Sequence, residues 1–204
     1  MSGRLPSRNP SLVFSADGSR LAEWALWQKN VLVWKITANG AATAPLSLPH
    51  DDGALTIALS PDGSRLAVAN AYNLHLWDLT TADPMVSPVV FPKFSDWGWI
   101  EAVAFSPDGH RLAAEGGSNV RLWDLTASDF ASRPTLLRGH TAAVRAIAFS
   151  ADGRWLATAG QDASARLWDL TDPVSPPIVM HGHEGTINAI AIEASRQQVC
   201  GNLL

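Results

Sequence analysis

The chain has 204 residues, 47% hydrophobic and 17% charged, with a formal net charge of −4 at pH 7. A chain of this length can bury about 70% of its unfolded surface, enough for a sizeable core. It has no run of Lys and Arg, which argues against a phosphate-tracking face for nucleic acid, and no stretch of about 18 consecutive apolar residues, so no helix is expected to cross a membrane. The single cysteine, Cys200, rules out an intrachain disulfide and fits a cytoplasmic location. The first 18 residues contain no apolar core of the length a signal peptide needs, and none is expected.

In chain order, the first predicted element is an inner strand from about Ser11, followed by the turn in FSADGSRLA (14–22) and a strand ending in LVWKI (32–36). The pattern returns as LSPDGSRLA (59–67) with LWDLT (76–80), and again as FSPDGHRLA (105–113) with LWDLT (122–126). The fourth return is FSADGRWLA (149–157) with LWDLT (167–171). The turn glycines Gly18, Gly63, Gly109 and Gly153 are 45, 46 and 44 residues apart. Self-similarity at such a period means a repeat architecture. The fourth copy shows the unit most fully. AVRAIAFS (143–150), WLATAG (155–160), ARLWDL (165–170) and PPIVMHG (176–182) read as four strands, with Asp152-Gly153 as a hairpin turn and the prolines at an outer edge. The inner strands show little polar alternation, as expected when both faces of a sheet are covered. No run of ten or more residues has helical period. The copies fall at about 11–49, 50–95, 96–138 and 139–182, with a partial fifth at 183–204, all in one region spanning 1–204. The fold class is therefore all-β, with four antiparallel strands to each propeller blade.

These residues carry a family resemblance. Three LWDLT endings, four Asp-Gly turns and one full Gly-His…Asp…Trp-Asp set resemble the WD-repeat β-propeller family from about residue 11 to residue 192. The Ser-Pro-Asp-Gly phrasing is similar to bacterial members. The resemblance implies a protein–protein interaction scaffold, with no cofactor, and an adjoining signalling domain as one kind of partner. It also implies a buried hydrogen-bond chain within a blade, which the fourth copy matches at His140, Thr158, Asp162 and Trp168. An indole N–H only donates and needs such an acceptor. The other copies depart from this. Val68, Ala114 and Glu23 stand at the Thr place, and Asp96 stands at the His place of the third copy. The repeat tryptophans Trp34, Trp77 and Trp123 must therefore find acceptors elsewhere or mainly pack.

Few residues read as chemistry. His181 and His183 alternate on a strand with no third ligand nearby, so no metal is expected. Asp51-Asp52 reads as a solvated loop. Asp78, Asp124 and Asp169 recur with the repeat and read as structural, and no phosphate loop or nucleophile elbow is present. No catalytic residue is expected. Four tryptophans lie outside the repeat place: Trp97 and Trp99 on the connection into the third copy, and Trp24 and Trp27 on and after the second strand of the first. Exposed Trp on loops is a common binding anchor, so these four are the candidate partner-binding residues. The alternative for them is filling gaps left by the missing polar chain. The expected function is a non-catalytic interaction platform; a hydrolytic enzyme on a propeller scaffold, or a small-ligand or glycan binder using the loop Trp, are the alternatives. The pattern breaks after Ile192, where EASRQQVCGNLL stands in place of an Asp-Gly turn and a second strand, so an unpaired inner strand is expected. That break leads to the expectation of a partial propeller or arc: a fragment of a longer array, a truncated or frame-shifted gene product, or a subunit that closes by self-association.

Overall fold

The computed structural model describes residues 11–25, 29–50, 53–71, 73–81, 88–93, 99–192 and 199–202. Four sheets of four antiparallel strands follow one another along the chain. The first holds β1 (Ser11–Phe14), β2 (Arg20–Trp24), β3 (Asn30–Lys35) and β4 (Leu46–Pro49). The second holds β5 (Thr56–Leu59), β6 (Arg65–Ala69), β7 (Leu74–Asp78) and β8 (Val89–Val90). The third holds β9 (Val103–Phe105), β10 (Arg111–Gly116), β11 (Asn119–Asp124) and β12 (Thr135–Arg138), with a 3-10 turn at Phe130–Ser132 before its last strand. The fourth holds β13 (Val144–Phe149), β14 (Trp155–Gly160), β15 (Ala165–Asp169) and β16 (Ile178–Met180). Within each sheet the strands lie in sequence order, so every connection is between neighbours. No α-helix occurs among the described residues.

The inner strands of the second, third and fourth sheets are apolar on both faces because each of these sheets has a packed layer on either side, whereas β1 of the first sheet leaves Leu12 and Phe14 exposed. On β6, Leu66 and Val68 face the first blade, while Ala67 and Ala69 face the third. On β10, Leu112 and Ala114 face the second blade and Ala113 faces the fourth. The hydrophobic core is thus a series of layers between blades. Large Leu and Trp side chains of one blade meet small Ala and medium Leu side chains of the blade before it. Trp77, Trp123 and Trp168 are each the wedge of one layer. Burying a large aromatic removes about 150–250 Å² from water, a gross gain of about 4–6 kcal/mol per wedge at about 25 cal/mol per Å².

Each letter of LWDLT has a separate task. Leu76 faces the following blade, while Trp77 and Leu79 face the preceding one. Asp78 Oδ1 accepts from the Thr80 backbone N–H at 2.8 Å and from its hydroxyl at 2.6 Å. Asp124 with Thr126, and Asp169 with Thr171, repeat this turn. The other recurrent turn is equally self-contained. Ser60 donates its hydroxyl to Asp62 at 2.6 Å and accepts the Arg65 N–H at 2.8 Å. Gly63 sits at φ +66, where a side chain is strained, and a Cβ there would lie 2.6 Å from Arg20 Cγ.

Adjacent blades are also clasped by backbone. Ile100 N–H donates to Asn70 O at 3.3 Å, Val144 N–H to Gly117 O at 2.9 Å, and Ile187 N–H to Gly160 O at 3.1 Å. Each donor begins an inner strand or lies two or three residues before one, and each acceptor lies at the end of the second strand of the blade before it or just after it. All three donors are buried, so the apolar side chain and its amide fix the joint together.

The fifth copy forms more than a lone strand. β17 (Ala189–Ile192) pairs antiparallel with β18 (Val199–Asn202), with Ile190 opposite Gly201. This corrects the expectation of an unpaired inner strand: a second strand is present although the Asp-Gly signal is missing.

Candidate functional site

The face that carries the blade-joining loops and middle hairpins holds the polar features, and the fourth blade has the fullest set. Gly139-His140 precedes β13 and brings the imidazole against β14. His140 Nε2 lies 2.8 Å from Thr158 Oγ1, and Trp168 donates its indole N–H to the same oxygen at 2.9 Å. His140 Nδ1 lies 2.9 Å from Asp162 Oδ2. The chain is consistent with a neutral imidazole: Trp168 donates to Thr158, Thr158 donates to His140 Nε2, and His140 Nδ1–H donates to Asp162. Burial pushes the His140 pKa below its ordinary value, with Asp162 opposing that shift. Asp162 also accepts from the backbone N–H groups of Thr141 and Ser164, which hold its carboxyl below the usual range despite its burial. A Cβ at Gly139 would lie 3.0 Å from Arg166 Nη1, so that side chain would have to shift, and the φ of +157 is one that L side chains rarely adopt. Every polar member of this network is used internally, which makes it a strut.

The other copies solve the problem differently. In the second, His50 meets His75 on β7, with Nδ1 to Nδ1 at 3.3 Å and rings edge to face at 4.8 Å. Trp77 keeps a buried indole N–H with no acceptor among the described residues. In the third, Trp123 donates to Ala131 O at 3.3 Å and stacks edge to face on Phe91 at 4.8 Å. Trp34 is half-buried on β3.

Of the four candidate binding tryptophans, Trp27 and Trp97 lie outside the described residues. Trp24 packs against the core between the first two blades, in the gap-filling position. Trp99 is different: it is 57% exposed, while the repeat tryptophans Trp77, Trp123 and Trp168 are buried. It lines a cavity of about 340 Å³ between the third and fourth blades, together with Glu101, Glu115, Gly117, Ala143, Val144 and Arg145.

Sequence reasoning did not single out Glu115. It follows the apolar Leu112–Ala114 near the end of β10 and is only 1% exposed. Its Oε1 accepts the backbone N–H of Glu101, tying the incoming loop to the sheet. Burial drives its pKa up to about 8, against the backbone groups of Ala102 and Gly117 that favour the charged form. At neutral pH the carboxyl is therefore mostly protonated. Glu101 is ion-paired with Arg145, and Arg145 also reaches the Gln161 side-chain oxygen when that amide is turned to accept. The signal was available: a charged residue at a place where the fourth copy has Ala159. Its partners come from another strand and another blade, so no local pattern reveals them.

The stacked four-stranded sheets, with a Trp wedge in each of three layers and self-contained Asp turns, have the form of propeller blades of the WD class. The WD domain, G-beta repeat, family matches residues 91–124 and 132–169. Those two stretches are WD repeats. The chain is similar to nuclear distribution protein PAC1-2 of Uncinocarpus reesii, at 46% identity over 57 residues, covering 28% of this chain and 12% of that protein. It is also similar to the target of rapamycin complex subunit wat1 of Schizosaccharomyces pombe, at 34% identity over 61 residues, covering 30% of this chain and 19% of that one. A third similarity is to ribosome biogenesis protein erb1 of Aspergillus niger, at 35% identity over 65 residues, covering 32% and 8%. The matched segments span less than a fifth of each relative's length.

Proposed function

We propose that this chain is a non-catalytic platform that holds another protein, or a partner domain, on the face carrying the blade-joining loops. The observation that carries the reading is the exposure of Trp99 on that face, beside a cavity with mixed polar and apolar walls. On the opposite face, the Ser-Asp-Gly and Asp-x-Thr turns spend their hydrogen-bonding groups on themselves. A large aromatic left in water at a loop is the kind of residue that anchors interfaces. The similarity to a protein whose name makes it a complex subunit supports the same reading. The lone Cys200 supports a cytoplasmic setting. A small-ligand binder using Trp99 is the second reading, favoured by the cavity itself; its volume lies at the bottom of the range of about 300–1,000 Å³ for such sites.

The test is capture of partners from lysate of the source cells by the wild-type chain, by the double variant Trp97→Ala/Trp99→Ala, and by Ile178→Ala on the outer strand. The double variant should keep its near-UV circular dichroism and capture its partner about 30-fold less well, the loss expected of an anchor contributing about 2 kcal/mol. Unchanged capture, or equal loss in Ile178→Ala, would refute the reading.

A further inference from the structure

We propose that the cavity between the third and fourth blades is a socket for one cationic side chain, lysine or arginine, presented by the protein that docks on the loop face. The inference rests on the platform reading and adds the chemistry of the contact.

Size comes first. A cavity of about 340 Å³ is small for a drug-sized ligand, yet a dry cavity of about 150 Å³ already holds benzene. One long side chain fits.

Charge comes next. The charged groups on the cavity are Glu101 from the incoming loop, Glu115 from β10 and Arg145 from β13. Arg145 is engaged by Glu101 and by Gln161, so an entering anion meets a guanidinium already committed. An entering cation meets Glu115, a second carboxyl with no ion-pair partner among the described residues. The exposed Trp99 ring lies on the same cavity. Its face can cover the methylene stem of Lys or Arg and attract the charged head. An apolar ligand would leave Glu115 and Arg145 without benefit, and an acidic one would confront two carboxyls.

Glu115 explains how the socket can stay stable while empty. Burial raises its pKa to about 8, so without a ligand it avoids an uncompensated buried charge by holding a proton. A bound cation makes the ionised form favourable, and the proton leaves to solvent. Binding is then linked to pH. Below about pH 8 each unit of acidification should weaken cation binding close to tenfold, and above it the affinity should level off. A merely structural Glu115, serving only as acceptor for the Glu101 N–H, predicts no such slope, because glutamine accepts that bond equally well.

The experiment uses the full chain labelled with ¹⁵N and four blocked tripeptides: Ala-Lys-Ala, Ala-Arg-Ala, Ala-Gln-Ala and Ala-Glu-Ala. The Trp99 indole N–H and the Gly117 amide are followed by NMR. The Lys and Arg peptides should shift both signals saturably, with affinity rising close to tenfold per unit from about pH 6 to 7.5; the Gln and Glu peptides should not. Glu115→Gln should remove the pH slope and most of the affinity. If that variant does not fold, Trp99→Leu, at an exposed position, should weaken the cationic peptides while the Gly117 amide reports the fold. No saturable shift with the cationic peptides, an equal response to the Gln peptide, or an unchanged slope in Glu115→Gln would overturn the proposal. Failed peptide binding with Trp-dependent partner capture intact would sink the socket and leave the platform standing. Capture indifferent to the Trp variants with peptide binding intact would do the reverse.

Discussion

Trp168 and Thr158 are joined by a 2.9 Å hydrogen bond from the indole N–H to the hydroxyl, whereas Trp77, the equivalent residue two copies earlier, has Val68 at the Thr place and keeps its buried N–H unpaired among the described residues. The comparison separates two contributions that the repeat mixes. All three buried wedges fill an interblade layer. Only the fourth is also the end of a polar chain.

Thr158→Val turns the fourth blade into the second at one position. The shape is nearly kept, but the Trp168 N–H and His140 Nε2 both lose their partner. The expected loss is about 1–3 kcal/mol, the usual cost of leaving buried polar groups unsatisfied. Denaturant midpoints measure it. A loss near zero would mean that the chain from Trp168 to Asp162 contributes nothing to stability.

Trp77→Phe and Trp168→Phe remove the same atoms from equivalent layers. In the second blade the change also removes an orphaned donor. In the fourth it breaks a bond and removes the N–H that Thr158 Oγ1 accepts. Trp168→Phe should therefore cost about 1–3 kcal/mol more than Trp77→Phe. Equal costs in thermal or chemical unfolding would show that packing alone decides both.

Much of this fold is legible before any coordinates. The 45-residue rhythm of Gly18, Gly63, Gly109 and Gly153 marks the blades, and Trp155–Gly160 is a strand over the stretch that its apolar run suggests. Local chemistry is the reason: turn residues and periodicity act over a few positions. What stays hidden depends on contacts between copies. Glu115 meets the Glu101 loop and the fourth blade only once the sheets stack. Ala131 becomes the acceptor of Trp123 through a 3-10 turn that no pattern announces. The pairing of β17 with β18 lacks the Asp-Gly cue of the other hairpins. Trp24 and Trp99 look alike in sequence, yet one packs against a core and the other stands in water.

Glu115 should make the fold sensitive to alkali. Its pKa is raised from 4.5 to about 8 in the folded chain, so between those values the folded state holds a proton that the unfolded state releases. Stability contributed at low pH is then lost as pH rises through that window and is flat above it. The loss is on the order of 5 kcal/mol at most. Unfolding at about pH 5 and about pH 8.5 should show a decline in the wild type that Glu115→Gln largely abolishes. Parallel declines in the two proteins would rule out Glu115 as its source.

The central claim is that the loop face, at Trp99, is where this protein meets its partner. Site-specific photocrosslinking in the source cells tests it most directly, with benzoylphenylalanine in place of Trp99 in one chain and of Ile178, on the outer strand β16, in another. The account predicts a discrete crosslinked protein from position 99 and none from position 178. Crosslinks to a discrete protein from 178, with position 99 silent, would contradict it.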